Sequence, residues 1–353
     1  MTLKIHFLNV GHGDCTVIEH QDDRLTVIDI NNGTELDLES SEELAKAYGL
    51  PIAAALERVR HELHSYNNRS PFITRVRQSI PAYERQTLDE LIRKGYNIEL
   101  TNPIEFLHEN YPSSDVFRYI QTHPDLDHMR GLTALTQDRK LLNVWDTKHD
   151  KTPEFQRDSD EEEWATYQKF HSSQISEQEK GYSEETVVQL YRGSQGRYWN
   201  QDLSGTEGHK IEILSPTPDI VATANKEGKT NNLSYVLRLT CNGWKIILAG
   251  DAESAVWEDL VEQHGEDLKC DVLKASHHGR DSGYHQKAVE LMSPQYTIVS
   301  VGKKPETDAS NKYRQYSDYV WSTRWKGNIT LMIDDSGKAV IDSQYNRGVA
   351  GKP

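Results

Sequence analysis

The chain has 353 residues, with 40 Lys+Arg against 55 Asp+Glu and a formal net charge of −15. That acidic excess excludes a protein that coats nucleic acid by bulk charge, but not one whose positive charge is carried by bound cations. No apolar stretch approaches the roughly 20 residues that a membrane-spanning helix needs. The start, MTLKIHFLNV, has no cationic region followed by a long apolar core, so no secretory leader is expected. Cys15, Cys241 and Cys270 are odd in number and far apart, which makes neither a disulfide framework nor a Cys-x-x-Cys metal site. A cytoplasmic, reducing location follows as the expectation.

Leu3, Ile5 and Phe7 alternate with polar neighbours and predict a strand. Gly11-His12-Gly13-Asp14 reads as a turn, followed by strands around Val17 and Leu25–Ile30. From Asp37 to Tyr111 helical spacing takes over, so residues 37–114 are expected to form a helical insertion, a packing lobe or partner surface. Val116–Ile120 is an apolar strand, and a helix-like segment with Leu132 and Leu135 follows. The run Asp158–Glu163 reads as a solvated face or loop, with helical pieces at Trp164–Phe170 and Glu184–Tyr191. Strands are expected at Ile211–Leu214, Tyr235–Leu239, Ile246–Leu248, Val272–Leu273, Thr297–Val301, Ile329–Ile333 and Ala339–Ile341. Helices are expected at Ala255–His264 and Tyr284–Met292. Alternating strands and helices predict a layered α/β fold.

Three strand ends carry residues that bind metals. Thr122 is followed by His123-Pro124-Asp125-Leu126-Asp127-His128, four potential ligands in six residues. Carboxylates crowded this closely need a cation to offset their repulsion. Ile246–Ala249 ends in Gly250-Asp251, and Val272–Ser276 ends in His277-His278-Gly279. Taken alone, Gly250-Asp251 is a weak signal and reads more readily as a turn or helix cap.

This ordered set resembles the metallo-β-lactamase superfamily and, more narrowly, the hydrolase domain of ComEC-type DNA-uptake proteins. Phe7–Asp14, Val27–Asp29, Thr122–His128, Asn231–Leu237, Leu248–Asp251 and Lys274–Gly279 carry the resemblance. It covers roughly residues 1–33 and 115–302. It implies an αββα sandwich with a helical insertion, the hydrolase domain spanning residues 1–36 and 115–345. It also implies two divalent metal ions, Zn²⁺ or Mn²⁺. His123, Asp125 and Asp251 would hold the weaker ion; Asp127, His128, Asp251 and one of His277 or His278 the tighter. The remaining histidine of that pair would contact the phosphate or donate a proton, so Asp127, His277 and His278 are the expected catalytic residues. Two departures stand out. Asp125 occupies the place of the superfamily's second histidine, and its usual third histidine has no counterpart, with Asn231 or Asn232 at the comparable place. An oxygen-rich position favours Mn²⁺ over a pure zinc preference.

The implied activity is that of a phosphodiesterase or nuclease, using a two-metal-activated hydroxide on DNA or another nucleic acid. A small phosphodiester or ester substrate, or a degenerate scaffold, are the alternatives. Asn232, Lys274 and Arg280 are expected at the substrate, with Lys303 and Lys304 as weaker candidates. Asp29 is expected to orient a ligand from behind; Asp14 either does the same or only closes its turn. A protein partner would dock through the insertion. The membrane channel that accompanies this domain in DNA-uptake proteins has no counterpart here, so transport is not expected.

Overall fold

The computed structural model describes residues 2–32, 100–172, 187–194, 209–302 and 306–345. The alternating start folds as β1 (Leu3–Phe7), β2 (Thr16–Glu19) and β3 (Leu25–Ile28). Next come α1 (Pro103–Asn110), β4 (Val116–Ile120), α2 (Leu132–Asp138), β5 (Val144–Asp146), α3 (Asp160–His171) and β6 (Val187–Gln189). The second half begins with β7 (Ile211–Ser215), α4 (Pro218–Glu227), β8 (Val236–Cys241), β9 (Trp244–Leu248) and α5 (Ser254–His264). It continues through β10 (Val272–Lys274), α6 (Gln286–Met292), β11 (Tyr296–Val299), α7 (Ser310–Tyr313) and β12 (Tyr319–Ser322). The last elements are α8 (Thr323–Lys326), β13 (Ile329–Ile333) and β14 (Ala339–Ser343).

The strands form two sheets, one of eight in the order β14-β13-β1-β2-β3-β4-β5-β6 and one of six in the order β12-β11-β10-β9-β8-β7. In the first, β3, β4, β5 and β6 are mutually parallel. In the second, β9, β10, β11 and β12 are parallel. Ile5, Phe7, Ile28 and Ile120 meet Ile213, Leu237, Leu248 and Ile298 between the sheets. The opposite faces are covered by helices. Val17, Val27 and Tyr119 pack against Leu107, Leu132, Leu135 and Phe170, while Ile247, Leu273 and Val299 pack against Val256, Trp257, Leu260 and Val289. The middle strands of each sheet therefore bury both faces, which is why they read as apolar runs. The result is the expected αββα sandwich, and no described helix is long and apolar enough to cross a membrane.

Most of the expected insertion, residues 37–99, lies outside the described residues. Its described end contains α1, which Asn102 caps by accepting from Ile104 N–H and which Pro103 opens. Leu107 of α1 packs into the outer layer of the first sheet. The helix expected at Glu184–Tyr191 is corrected: Val187–Gln189 is a strand paired parallel with β5, and residues 184–186 lie outside the described ones. Three residues at a sheet edge are too few to show a period. The sequence reading also passed over α4, although Thr217 caps it, Pro218 opens it and Gly228 closes it in the left-handed region.

His6 on β1 bonds Tyr111 Oη through Nε2 at 2.8 Å and Thr330 Oγ1 through Nδ1 at 2.9 Å. Burial, reinforced by Lys4, pushes its imidazole down to about 4. The unfolded chain takes up this proton near pH 6.5 and the folded chain only near 4. The stability His6 contributes is thus present above pH 6.5 and lost as pH falls toward 4. Urea midpoints measured from pH 7 to pH 4 should fall less steeply in His6→Gln than in the wild type.

Candidate metal centre

Parallel pairing of β3 with β4, and of β9 with β10, brings the carboxyl ends of each pair to one edge of its sheet. Loops outside such strand ends are where α/β folds place their ligands. Here they deliver Asp29, His123–His128, Asp251 and His277-His278. Gly250 makes the Asp251 turn at φ +52, where an added Cβ would stand 3.0 Å from Ser234 Cβ and 3.1 Å from Thr122 Cβ. The Asp251 N–H is held at 3.0 Å by Ser234 Oγ.

The Asp251 carboxylate is buried, and four imidazoles surround it. Its Oδ2 lies 3.4 Å from His128 Nε2, 3.5 Å from His278 Nε2, 3.8 Å from His277 Nε2 and 3.9 Å from His123 Nε2. Three of these rings are fixed from behind. Thr122 Oγ1 donates to Asp29 Oδ2 at 2.7 Å, so His123 Nδ1–H donates to Thr122 Oγ1 at 3.0 Å. His128 Nδ1–H donates to Asp29 Oδ2 at 2.7 Å, and His278 Nδ1–H to the Ser300 carbonyl at 3.1 Å. With Nδ1 turned to these partners, each Nε2 faces Asp251. Metal-binding histidines are oriented in this way. His123 Nε2, His128 Nε2 and Asp251 Oδ1 are buried and bond to no protein atom. Orphaned buried nitrogens and a buried carboxylate fit a cation, and the donor set suits a divalent metal.

The electrostatics agree. Burial alone would raise the Asp251 carboxyl, but His278 and His128 hold it well below the usual carboxylate range. Burial would lower His128, yet Asp251 and Asp29 push it well above its ordinary value. The centre draws positive charge to itself.

A continuing strand would set His277 and His278 on opposite sides. The strand does not continue: β10 ends at Lys274, and both histidines sit in a short turn at φ 48° and 53°. Two successive non-glycine residues in the left-handed region cost roughly 1–2 kcal/mol each. That conformation turns both rings to Asp251. His278 is buried, whereas His277 is partly exposed and has Ser282 Oγ at 2.7 Å and Glu253 Oε1 at 3.4 Å from Nδ1.

Asp127 Oδ2 lies 3.3 Å from His278 Nε2. Asp125 Oδ1 is 3.7 Å from His123 Nε2 and takes Lys151 Nζ at 2.6 Å. Lys274 is 3% exposed and its ammonium is held by Asp14 at 2.8 Å, so it is buried rather than on a substrate-facing surface, while Asp14 stands close enough to His128, Asp251 and His278 to share an ion with them. Asn232 is likewise buried, its amide oxygen accepting the Glu253 N–H at 3.1 Å. Arg280 donates to His12 Nε2 at 2.9 Å. His209 bonds Asp22 and Arg118 and stacks on His20, apart from these residues. Lys303 and Lys304 lie outside the described residues.

His12 and Lys151 were not singled out from the sequence. His12 forms a cluster with Asp127 and His278, its ring centroid 4.7 Å from that of His278. The signal was present, a histidine between two glycines beside a strand end. Gly13 is what allows the approach: at φ +140 an added Cβ would stand 2.4 Å from the Asp127 carbonyl oxygen.

No family model matches the chain. Competence protein ComA of Neisseria gonorrhoeae is 26% identical over 136 residues, 37% of this chain and 19% of that protein. ComE operon protein 3 of Bacillus subtilis (strain 168) is 27% identical over 139 residues, 39% of this chain and 16% of that protein. The matches span less than a fifth of either relative's length. They support the resemblance to the ComEC-like branch of the metallo-β-lactamase superfamily, at low identity. Among solved structures, the metallo hydrolase Igni18 of Ignicoccus hospitalis aligns with a TM-score of 0.44 and 12% identity over 98% of this chain and 100% of that one. A CmlA beta-hydroxylase mutant aligns with a TM-score of 0.43 and 10% identity over 93% of this chain and 53% of that one.

Asp29 accepts from the Thr122 N–H, the Thr122 hydroxyl and His128 Nδ1–H. An amide in its place turns one acceptor into a donor. Asp29→Asn should lower divalent-ion affinity about 10–100-fold, the usual scale for a group that orients a metal-binding histidine. Titration calorimetry with Mn²⁺ or Zn²⁺ measures it, with circular dichroism reporting the fold.

Proposed function

We propose that the chain is a divalent-metal-dependent phosphodiesterase acting on nucleic acid. The observation that carries this reading is the buried Asp251 carboxylate facing four imidazole Nε2 atoms. His123, Asp125 and Asp251 would hold one ion; Asp127, His128, His278 and Asp251 the other. When bound, such ions lower the pKa of water toward neutrality and offset charge on phosphate oxygens.

Hydrolysis forms one P–O bond from water and breaks one P–O ester bond, and the departing oxygen takes up a proton. His277 is placed to give that proton. It is the partly exposed ring of the pair, and Ser282 Oγ and Glu253 Oε1 beside its Nδ1 orient it. His278, buried and braced by the Ser300 carbonyl, is left to hold metal. Asp29 and Thr122 keep His123 and His128 in the required tautomer without touching substrate. Arg280, donating to His12 at the rim, supplies a planar cation for a phosphate oxygen. Nucleic acid is favoured as substrate by the similarity to two competence proteins and by the ComEC-type motifs.

The test compares single-stranded DNA with bis-(p-nitrophenyl) phosphate under Mn²⁺ and under Zn²⁺. Wild-type protein should cleave DNA, and a chelator should stop it. Asp127→Ala and His128→Ala should each lose at least about a hundredfold in kcat/KM with the fold retained, more than the loss of a merely orienting group. Cleavage of the small diester alone moves the substrate to a small molecule. Full activity in both variants ends the metal-site reading.

A further inference from the structure

Lys151 is the ammonium beside Asp125: its Nζ stands 2.6 Å from Asp125 Oδ1 and 3.5 Å from Thr230 Oγ1. Asp125 Oδ1 in turn is 3.7 Å from the unpartnered His123 Nε2. A lysine therefore holds the carboxylate that a cation beside His123 would need.

This lysine is delivered by a built brace. Its backbone N–H donates to His149 Nδ1 at 3.1 Å, which leaves His149 Nε2–H to donate to Tyr167 Oη at 2.7 Å. Tyr167 donates to Asp146 Oδ1 at 2.7 Å, and His171 Nδ1–H to Asp146 Oδ2 at 2.5 Å. Asp146 and Tyr167 are buried, and the His149 ring stacks on His171 with centroids 4.1 Å apart. Asp146, His149 and His171 are close enough together to hold an ion themselves. Both Asp146 oxygens and both His149 nitrogens, however, are already spent on this chain of bonds. The cluster sits at the end of β5, at the same sheet edge that carries His123 at the end of β4. It fixes where the peptide of Lys151 lies, while the lysine side chain remains 21% exposed.

We propose that Lys151 is a resident cation that competes with metal for Asp125 and moves to the substrate's phosphodiester when that arrives. This rests on the metal-dependent reading above and adds a positioning device to it. A phosphodiester oxygen draws the ammonium off Asp125, and the freed carboxylate turns to the ion beside His123. Metal and phosphodiester then bind cooperatively, each raising the affinity of the other by the same factor. An idle site, with its lysine on Asp125, holds that ion weakly.

The experiment is an equilibrium titration of the full chain with Mn²⁺, and in parallel Zn²⁺, with and without dimethyl phosphate as probe. Lys151→Met keeps the stem and removes the charge; Lys151→Arg keeps both. Lys151→Met should bind its weaker ion about two- to fivefold more tightly than wild type, the scale of one partly exposed charge pair. Lys151→Arg should stay near wild type. Dimethyl phosphate should tighten metal binding more in wild type than in Lys151→Met. Metal affinity in Lys151→Met equal to or below that of wild type, or equal tightening by dimethyl phosphate, overturns the inference while leaving the metal centre standing. Wild-type protein that binds neither ion removes the metal reading, and this inference falls with it.

Discussion

A carboxylate taken out of water is costly unless positive charge meets it, and Asp251 is such a carboxylate. Its solution here is to face four imidazoles at 3.4–3.9 Å, drawn from two different strand ends in two different sheets. The rest of the centre follows from keeping those rings in place. Asp29 spends both its oxygens on Thr122 and His128, and the Ser300 carbonyl holds His278. The turn at His277 and His278 holds two left-handed residues, and in that conformation both rings face Asp251. Strain of this kind persists where surrounding contacts over-determine it.

The same demand for charge balance is met differently around the rim. Lys274 pairs with Asp14, whose carboxylate stands beside His128, Asp251 and His278. On the His123 side, Lys151 answers Asp125 across a partly exposed gap. On the His278 side, Arg280 and His12 stand together near Asp127. An acidic chain thus presents arginine and lysine at the two rims of one small centre. That is a sensible arrangement for an anionic substrate, because local charge rather than net charge governs recognition at a cleft.

Much of the sandwich is legible in the amino-acid sequence. Runs such as Ile246–Leu248 are buried throughout and Ile329, Leu331 and Ile333 are buried in alternation, and burial leaves an apolar signature. The signature fails for Val144–Asp146, Val187–Gln189 and Tyr319–Ser322, which are too short or too exposed to show a period. The clustered ligand types at residues 123–128, at Asp251 and at His277-His278 were legible for a related reason. Each follows an apolar strand directly, so chain proximity alone marks it. Lys274 misled because a lysine before a histidine pair looks solvent-facing, and only the sheet contact with Asp14, 260 residues away, shows it to be buried.

By itself the sequence determined that ligand-bearing turns terminate buried strands, because that information is local: an apolar run, a glycine, then histidine or aspartate. The tertiary structure decided which atoms converge. Period-two logic could not place His277 and His278, because the strand stops at Lys274 and a left-handed turn takes over. Nor could it bring His12 to Asp127, or Lys151 to Asp125. Those meetings depend on strand order and loop paths, and they are fixed by the packing of two sheets against each other rather than by the spacing of residues along the chain.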